Sequence, residues 1–447
     1  MATVCVLTLV TLPETVFMHL LPHRVRRKLR AAVAAVLGLV LFWFLLIALL
    51  PYRRELRDAL PAGTSPEDPQ FARDMAGLYG SPLVPGNQID TLLNGDEIFA
   101  AMLHEISGAR RSVTFETYIY WSGEIAERFC DALVERAQAG VRVKVLIDWI
   151  GGLPMADDLL DRMHEGGVEL RMFRPMRPST LSRLNNRTHR KILVVDGRTG
   201  FIGGVGIADQ WRGQARNPSE WRDTHYRVRG PVVALMQNAF AHNWVEASGE
   251  VLRGADFFPP LEPVGQVPVQ MIKSNTGSRN EIHLMLMTAL ASAQRHIRIS
   301  TPYFVPDKVA VAQLLAARAR GVEVDLLLAG VHTDSWVVRR VSRLPLRRLL
   351  GAGVRIHEYA PTFLHSKLVL IDQDWASIGS ANFDERSFRL NDEANLNVHD
   401  RDFVQQQIRI FEGDMARARE ITGSDLDRMS WIEHAQNTIL GVLRPHL

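Results

Sequence analysis

The plainest pattern in the chain is a run with no polar position: Ala31 to Leu50 reads AAVAAVLGLVLFWFLLIALL. As a helix rising about 1.5 Å per residue it is roughly 30 Å long, the thickness of a bilayer's hydrocarbon core. The pattern predicts a transmembrane helix over 31–50, because a helix that is apolar all round needs apolar surroundings on every side. A cleaved signal peptide is the rival reading. It fits less well: the run exceeds the usual apolar region of about 7–15 residues, and no small-residue cleavage site follows before Pro51-Tyr52-Arg53-Arg54. Arg24, Arg26, Arg27, Lys28 and Arg30 precede the run, in a basic N-terminal segment over 1–30, and Arg53, Arg54 and Arg57 follow it. By the positive-inside rule the N-terminal side stays cytoplasmic and the main domain faces outward. Met1 to Leu21 carries three open readings: a second span, an interfacial segment, or an extension upstream of Met18 as the start.

Beyond this run the pattern becomes short apolar runs alternating with helical periodicity. Residues 51–93, rich in Pro, Gly and charge, read as a linker. Two copies of one unit follow. Gly95-Asp96-Glu97-Ile98 opens a helix that leads into a strand at Ser112–Tyr118, and Arg279-Asn280-Glu281-Ile282 does the same before Arg295–Ser300. In the first copy a helix over Gly123–Ala139 stops at Gly140 and a strand runs from Val141 to Ile147. In the second the helix is Asp307–Arg320, the stop Gly321, and the strand Val322–Leu328. The expected architecture is α/β: two pseudo-symmetric halves over 94–255 and 271–447, each a mixed sheet flanked by helices, joined by a Pro-rich connector over 256–270.

Composition narrows the function classes. A chain of 447 residues accommodates about two or three domains. With 52 Lys plus Arg against 49 Asp plus Glu, the net charge of +3 argues against a protein built around nucleic-acid phosphates. Cys5 and Cys130 are the only cysteines, which excludes a disulfide framework and a cysteine-ligated metal site.

The repeat carries its chemistry in two segments, His189-Arg190-Lys191-Ile192-Leu193-Val194-Val195-Asp196 and His365-Ser366-Lys367-Leu368-Val369-Leu370-Ile371-Asp372, each H-x-K-x4-D. On a strand, residues two apart share a face, so each copy presents an imidazole and an ammonium together. Seven residues after each Asp comes a turn of small residues, Gly203-Gly204-Val205-Gly206 and Gly379-Ser380-Ala381-Asn382, where backbone and phosphate can approach closely. Structural histidines at strand ends would explain one copy but not the duplication. Two imidazoles suit displacement at a phosphodiester: one attacks phosphorus while the other protonates the departing alkoxide. Lys191 and Lys367 supply fixed positive charge for the non-bridging oxygens. The sequence lacks a dense carboxylate cluster for magnesium or calcium, so a site without metal or cofactor is expected. Ser380 and Asn382 are candidates for binding phosphate or orienting His365.

With these motifs the chain resembles the phospholipase D superfamily, and within it the bacterial cardiolipin synthases, over roughly Asn94 to Leu447. Further matching segments are Trp221-Arg222-Asp223-Thr224-His225 with Arg229-Gly230-Pro231, Asn382-Phe383-Asp384 with Arg386-Ser387, and Asn391-Asp392-Glu393. The resemblance implies one active site shared by the halves, a phosphatidyl-histidine intermediate and no metal. It makes His189 the nucleophile and His365 the acid, although the residues alone leave the roles exchangeable. Asp196 and Asp372 are expected to orient and charge-balance the site. The implied reaction joins two phosphatidylglycerol molecules and releases glycerol, at a bacterial inner membrane and with no nucleic-acid partner. Water as acceptor would make the enzyme a lipid hydrolase; a nuclease and a non-enzymatic scaffold are the remaining rivals. One departure stands out: Gly206 occupies the place where the family usually has Asn, with Asp209 as a substitute or a helix cap.

Several features stay open on the sequence alone. Arg339, Arg340, Arg343, Arg347 and Arg348 beside Trp336 suit an anionic lipid surface or a solvated helix. The arginines between Arg171 and Arg190 suit guidance of acidic head groups or scattered surface charge. Tyr118, Tyr120, Trp121, Trp149, Tyr303 and Phe304 are expected to pack in the core or at the rim of the site. His104, His225, His283 and His357 are expected to be structural.

Overall fold

Short apolar runs without polar interruption become strands buried on both faces. In the computed structural model, which describes residues 23–49, 56, 58–177, 183–275 and 280–427, the chain forms two units, Met1–Tyr52 and Arg53–Leu447. Among the described residues the first unit holds one helix, His23–Leu49, which starts upstream of the predicted run and takes in the basic residues before it. Its described side chains from Ala31 to Val40, with Phe42 and Trp43, are exposed. Among the described residues no helix is long and apolar enough to cross a membrane. Leu50, the side chains at 41 and 44–49, and the readings of residues 1–22 lie outside the description.

The strands of the second unit are β1 (Leu83–Leu93), β2 (Ser112–Thr117), β3 (Arg142–Asp148), β4 (Glu169–Phe173), β5 (Ile192–Val195), β6 (Thr199–Gly203), β7 (Thr224–Arg229), β8 (Val267–Lys273), β9 (His296–Thr301), β10 (Phe304–Val305), β11 (Glu323–Ala329), β12 (Arg355–Tyr359), β13 (Leu368–Ile371), β14 (Trp375–Gly379), β15 (Phe383–Asp384), β16 (Ala394–Val398) and β17 (Ala418–Glu420). Among the described residues one sheet runs β17-β12-β11-β9-β13-β14-β16-β8-β1-β7-β6-β5-β2-β3-β4. From its centre outward the two halves have the same order, β1-β7-β6-β5-β2-β3-β4 and β8-β16-β14-β13-β9-β11-β12. The helices before the parallel pairs end at Gly140 and Gly321, both left-handed at φ 86° and 90°.

The stretch read as a linker over 51–93 does more than connect. It folds into a helix, Pro69–Tyr79, and into β1, which pairs antiparallel with β7 of its own half and with β8 of the other. β8 likewise starts inside the predicted connector. The halves therefore share one continuous sheet instead of packing as two separate ones.

Alternation along the strands divides the core. Leu193 and Val195 of β5 enter a cluster built mainly from the first half, while Ile192 and Val194 enter a cluster shared by both halves. In β13, Val369 and Ile371 face the second half's cluster and Leu368 and Leu370 the shared one. Burial on both faces is why these strands read as unbroken apolar runs.

Asn87 closes the central seam. Its Nδ2 donates to Val84 O at 2.7 Å and Val267 O at 3.1 Å, and its Oδ1 accepts from Val232 N at 2.8 Å. The side chain is fully buried, so Asn87→Ala leaves both carbonyls and the amide without that partner. A loss of about 2–3 kcal/mol is expected, read as a lower midpoint of chemical unfolding. An unchanged midpoint would show that the seam does not depend on this side chain.

Candidate active site

The two His-x-Lys segments lie just before β5 and β13, in extended backbone and not in the strands themselves. Each is pinned to the opposite half by a short bridge. Thr188 pairs with Asp392, with His189 N donating to Asp392 O at 2.9 Å. Arg222 pairs with Leu364, with His365 N donating to Arg222 O at 2.7 Å. The guanidinium of Arg222 is anchored on Asp414 at 2.9 Å.

These bridges cross the histidine–carboxylate pairs between the halves. His189 Nδ1 lies 2.9 Å from Glu393 Oε1 of the second half, and His365 Nδ1 lies 2.9 Å from Asp223 Oδ2 of the first. Both carboxylates are fully buried. With Nδ1–H donating to a carboxylate, each ring is left with Nε2 for substrate. Lys191 Nζ donates to His189 O at 2.8 Å. Lys367 Nζ donates to His365 O at 2.6 Å and lies 3.1 and 3.3 Å from the ring nitrogens of His365. Asp223 and Glu393 were not singled out from sequence, although each stands one residue before an equivalent strand, β7 or β16, inside the family-like segments quoted above.

Burial and neighbouring charge set the protonation states. Burial lowers His189 to about 4 and His365 to about 3, against the pull of Glu393 and Asp223, so both rings are neutral in the free site near pH 7. Burial also lowers Lys191 to about 7 and Lys367 to about 8. For Lys191 the next cause is the charge of Lys367, and each histidine is in turn disfavoured as a cation by the other half's lysine. Two carboxylates, two lysines and two rings thus form one electrostatic unit.

The small-residue turns differ in the way Gly206 foretold. In the second copy Ser380 Oγ donates to Glu393 Oε2 at 2.5 Å, and Ser387 Oγ donates to Oε1 at 2.8 Å. Ser380 therefore steadies the carboxylate behind His189, not His365 as expected. Asn382 lines the cavity beside His189, and its Oδ1 is buried without a protein partner. In the first copy a Cβ on Gly204 would stand 2.3 Å from Asp223 Oδ1, and one on Gly206 would stand 2.8 Å from Ile119 Cβ. No side chain fits at either place, and Trp211 Nε1–H supplies the hydrogen bond to Asp223 Oδ2 at 2.9 Å. Asp209 is a helix cap: it accepts from Glu124 N and Ile125 N at 3.0 and 2.9 Å.

Asp196 and Asp372 are not at the reacting end. Both have positive φ, at 52° and 54°, in the turns that end β5 and β13. Asp196 accepts from the backbone N–H groups of Arg110, Arg111 and Ser112, and Asp372 from those of Gln294, Arg295 and His296. Four intervening residues of extended chain separate each from its lysine by roughly 16 Å. Their charge serves the entry to β2 and β9 and does not balance the site directly.

The cavity in front of His189 has a volume of about 400 Å³. Tyr118, Trp121 and Tyr303 line it; Tyr118 sits edge-on to His189 at 5.4 Å, and Trp211, Trp221, Phe363 and Tyr303 surround His365 at 5.2–6.4 Å. Arg187 and Arg190 are fully buried, so neither is scattered surface charge nor a guide for head groups. Arg187 is bound to Asp148, and Arg190 donates to Ala239 O and Ser274 O.

Paired His-x-Lys segments on a duplicated α/β unit define a phospholipase D-like protein, and comparison with known proteins agrees. The family described as "Cardiolipin synthase, PLD-like domain" matches residues 102–218 and 286–415, and the chain belongs to it. Cardiolipin synthase A of Pseudomonas syringae is 36% identical over 381 residues, 83% of this chain and 78% of that protein. Cardiolipin synthase of Geobacillus kaustophilus is 35% identical over 370 residues, 82% of this chain and 74% of its own. The crystal structure of phosphatidylserine synthase from Haemophilus influenzae shares the fold, with a TM-score of 0.67 at 14% identity over 85% of this chain and 100% of that one.

The two aspartates generate a test. Asp196→Ala and Asp372→Ala are each expected to lower stability by about 2–3 kcal/mol in chemical unfolding while the folded fraction keeps its turnover. A variant of unchanged stability and lost activity would return the aspartate to the site.

Proposed function

We propose that the chain is a cardiolipin synthase that passes a phosphatidyl group from one phosphatidylglycerol to another through His189. The observation that carries this reading is the crossed arrangement, in which each histidine is held by the other half's carboxylate with a lysine at its side. His189 Nε2 attacks phosphorus and forms a P–N bond as the bond to the glycerol oxygen breaks. His365 gives its proton to that oxygen and releases glycerol. The same ring then takes the proton of an incoming lipid hydroxyl, whose oxygen displaces His189 and restores it. The free rings are neutral, so His365 takes up its acid proton from solvent as substrate binds, because the anionic diester raises a nearby imidazole's affinity for a proton.

Lys191 and Lys367 hold the non-bridging oxygens. The buried Oδ1 of Asn382 supports a contact with a substrate hydroxyl. His189 as nucleophile is supported by its place on the cavity wall. The apolar run over 31–50 supports a membrane anchor, and the arginines around it support an outward-facing catalytic unit.

Detergent-purified protein given phosphatidylglycerol in the presence of EDTA is expected to yield cardiolipin and free glycerol. Phosphatidic acid as the sole lipid product would make it a hydrolase. His189→Ala and His365→Ala are each expected to cost about 10²–10⁴-fold in turnover. Full activity in either would remove that ring from the reaction.

The dependence of kcat/KM on pH follows from the free site. It is expected to fall as pH rises through 7–8, where Lys191 and Lys367 lose their protons, and to fall again near 4 and below, where the rings become charged. Lys191→Arg, which stays cationic, removes the lower of the two titrations and moves the alkaline limb upward toward that of Lys367, at about 8, in whatever activity it keeps. An unmoved limb would assign that titration to another group.

A further inference from the structure

β3 and β11 occupy equivalent places in the two halves, and the loops after them, 149–156 and 330–335, meet at the cavity. Ile150, Gly151 and Pro154 line it from one side, Asp334 and Ser335 from the other. Both loops carry a large apolar side chain outward: Leu153 is 61% exposed and Val331 68%. Next to Ser335, Trp336 is 65% exposed and heads the helix Trp336–Ser342, which is held down by the buried Val338 and Val341. From Trp336 to Leu350 the chain has five arginines and no acidic residue. Arg339 and Arg343 reach Glu358, while Arg347 and Arg348 lie exposed on the next helix, Leu346–Gly351.

We propose that this rim, with Leu153, Val331 and Trp336 at its tips and the arginine-rich helices beside it, docks the cavity mouth onto an anionic bilayer. Apolar tips close in the chain to residues that line the cavity, beside a stretch of five arginines with no acidic residue, fit a surface of acidic head groups over acyl chains. The inference rests on the reading of the cavity as a lipid site. Docking in this way lets a diester pass from the head-group layer to His189 without crossing water, while the tips enter the interface.

The test uses the full chain in vesicles of phosphatidylglycerol and phosphatidylcholine. Nitroxide labels are placed through Leu153→Cys and Trp336→Cys in a Cys5→Ser background, with Cys130 buried and left in place. A control label replaces Asp402, exposed on the helix Arg401–Met415. Relative to the control, both rim labels are expected to collide more with oxygen and less with a water-soluble nickel chelate. Rim labels as open to the chelate as the control would overturn the proposal, and so would labels shielded from both agents, as in contact with a second copy. In a second arm, Leu153→Ser combined with Trp336→Ser is expected to lower turnover of bilayer phosphatidylglycerol about tenfold while leaving that of short-chain monomeric lipid unchanged. Equal loss on both substrates would overturn docking as the role of the rim. Absence of turnover in the parent chain would sink the functional reading alone, because the labels report docking without it.

Discussion

Everything at the centre of the molecule depends on two buried carboxylates that belong to the wrong half. Glu393 reaches across to His189 and Asp223 to His365, and both are fully removed from water. An isolated buried carboxylate is costly, and each half alone would hold one without its partner. The exchange therefore locks the halves together at the place where reaction requires two rings side by side. The backbone agrees with the side chains: the bridges at Thr188 with Asp392 and Leu364 with Arg222 place each carboxylate beside its ring. β1 and β8 complete the link by making one sheet of two.

The same crossing organises the electrostatics. Two carboxylates balance two lysines, and the rings stay neutral because burial and the lysines outweigh the pull of the acids. A site of this kind has little net charge until a diester enters, and the diester's own charge then favours the protonated ring that its departure needs. Burial makes Lys191 and Lys367 release protons at lower pH than solvent-exposed lysines do, and the charge of Lys367 lowers Lys191 further.

How much of this could be read from sequence depends on what each residue answers to. Strands such as β5 and β13 were legible because burial on both faces gives unbroken apolar runs, and the helix stops because Gly140 and Gly321 adopt left-handed backbone. β1 was not legible: its residues, Leu83-Val84-Pro85-Gly86-Asn87 onward, carry loop chemistry, and only pairing with β7 and β8 makes them a strand. The histidines and lysines announced themselves by duplication. That same duplication misled at Asp196 and Asp372, where the repeated feature is a turn that caps the neighbouring strand. Asp223 and Glu393 escaped notice because they stand at unequal distances after their histidines, 223 − 189 = 34 and 393 − 365 = 28 residues, so no fixed spacing joins them to the motif.

Duplication fixes what the halves share, and their differences bear on the division of labour. Behind His189 lies an ion pair, Arg187 with Asp148, at 3.0 Å; the equivalent places in the second half hold Phe363 and Ala329, both in an apolar cluster. His365 is enclosed by rings, Trp211 and Trp221 among them, and Ile119 and Trp211 fill the space that Gly206 leaves without a side chain. Apolar enclosure opposes a charged imidazole until an anion arrives, whereas an open ring can approach phosphorus directly. His189, with Asn382 beside it, opens onto the cavity. The two rings are thus unequal in their surroundings, and the inequality comes from the residues packed behind two otherwise matching motifs.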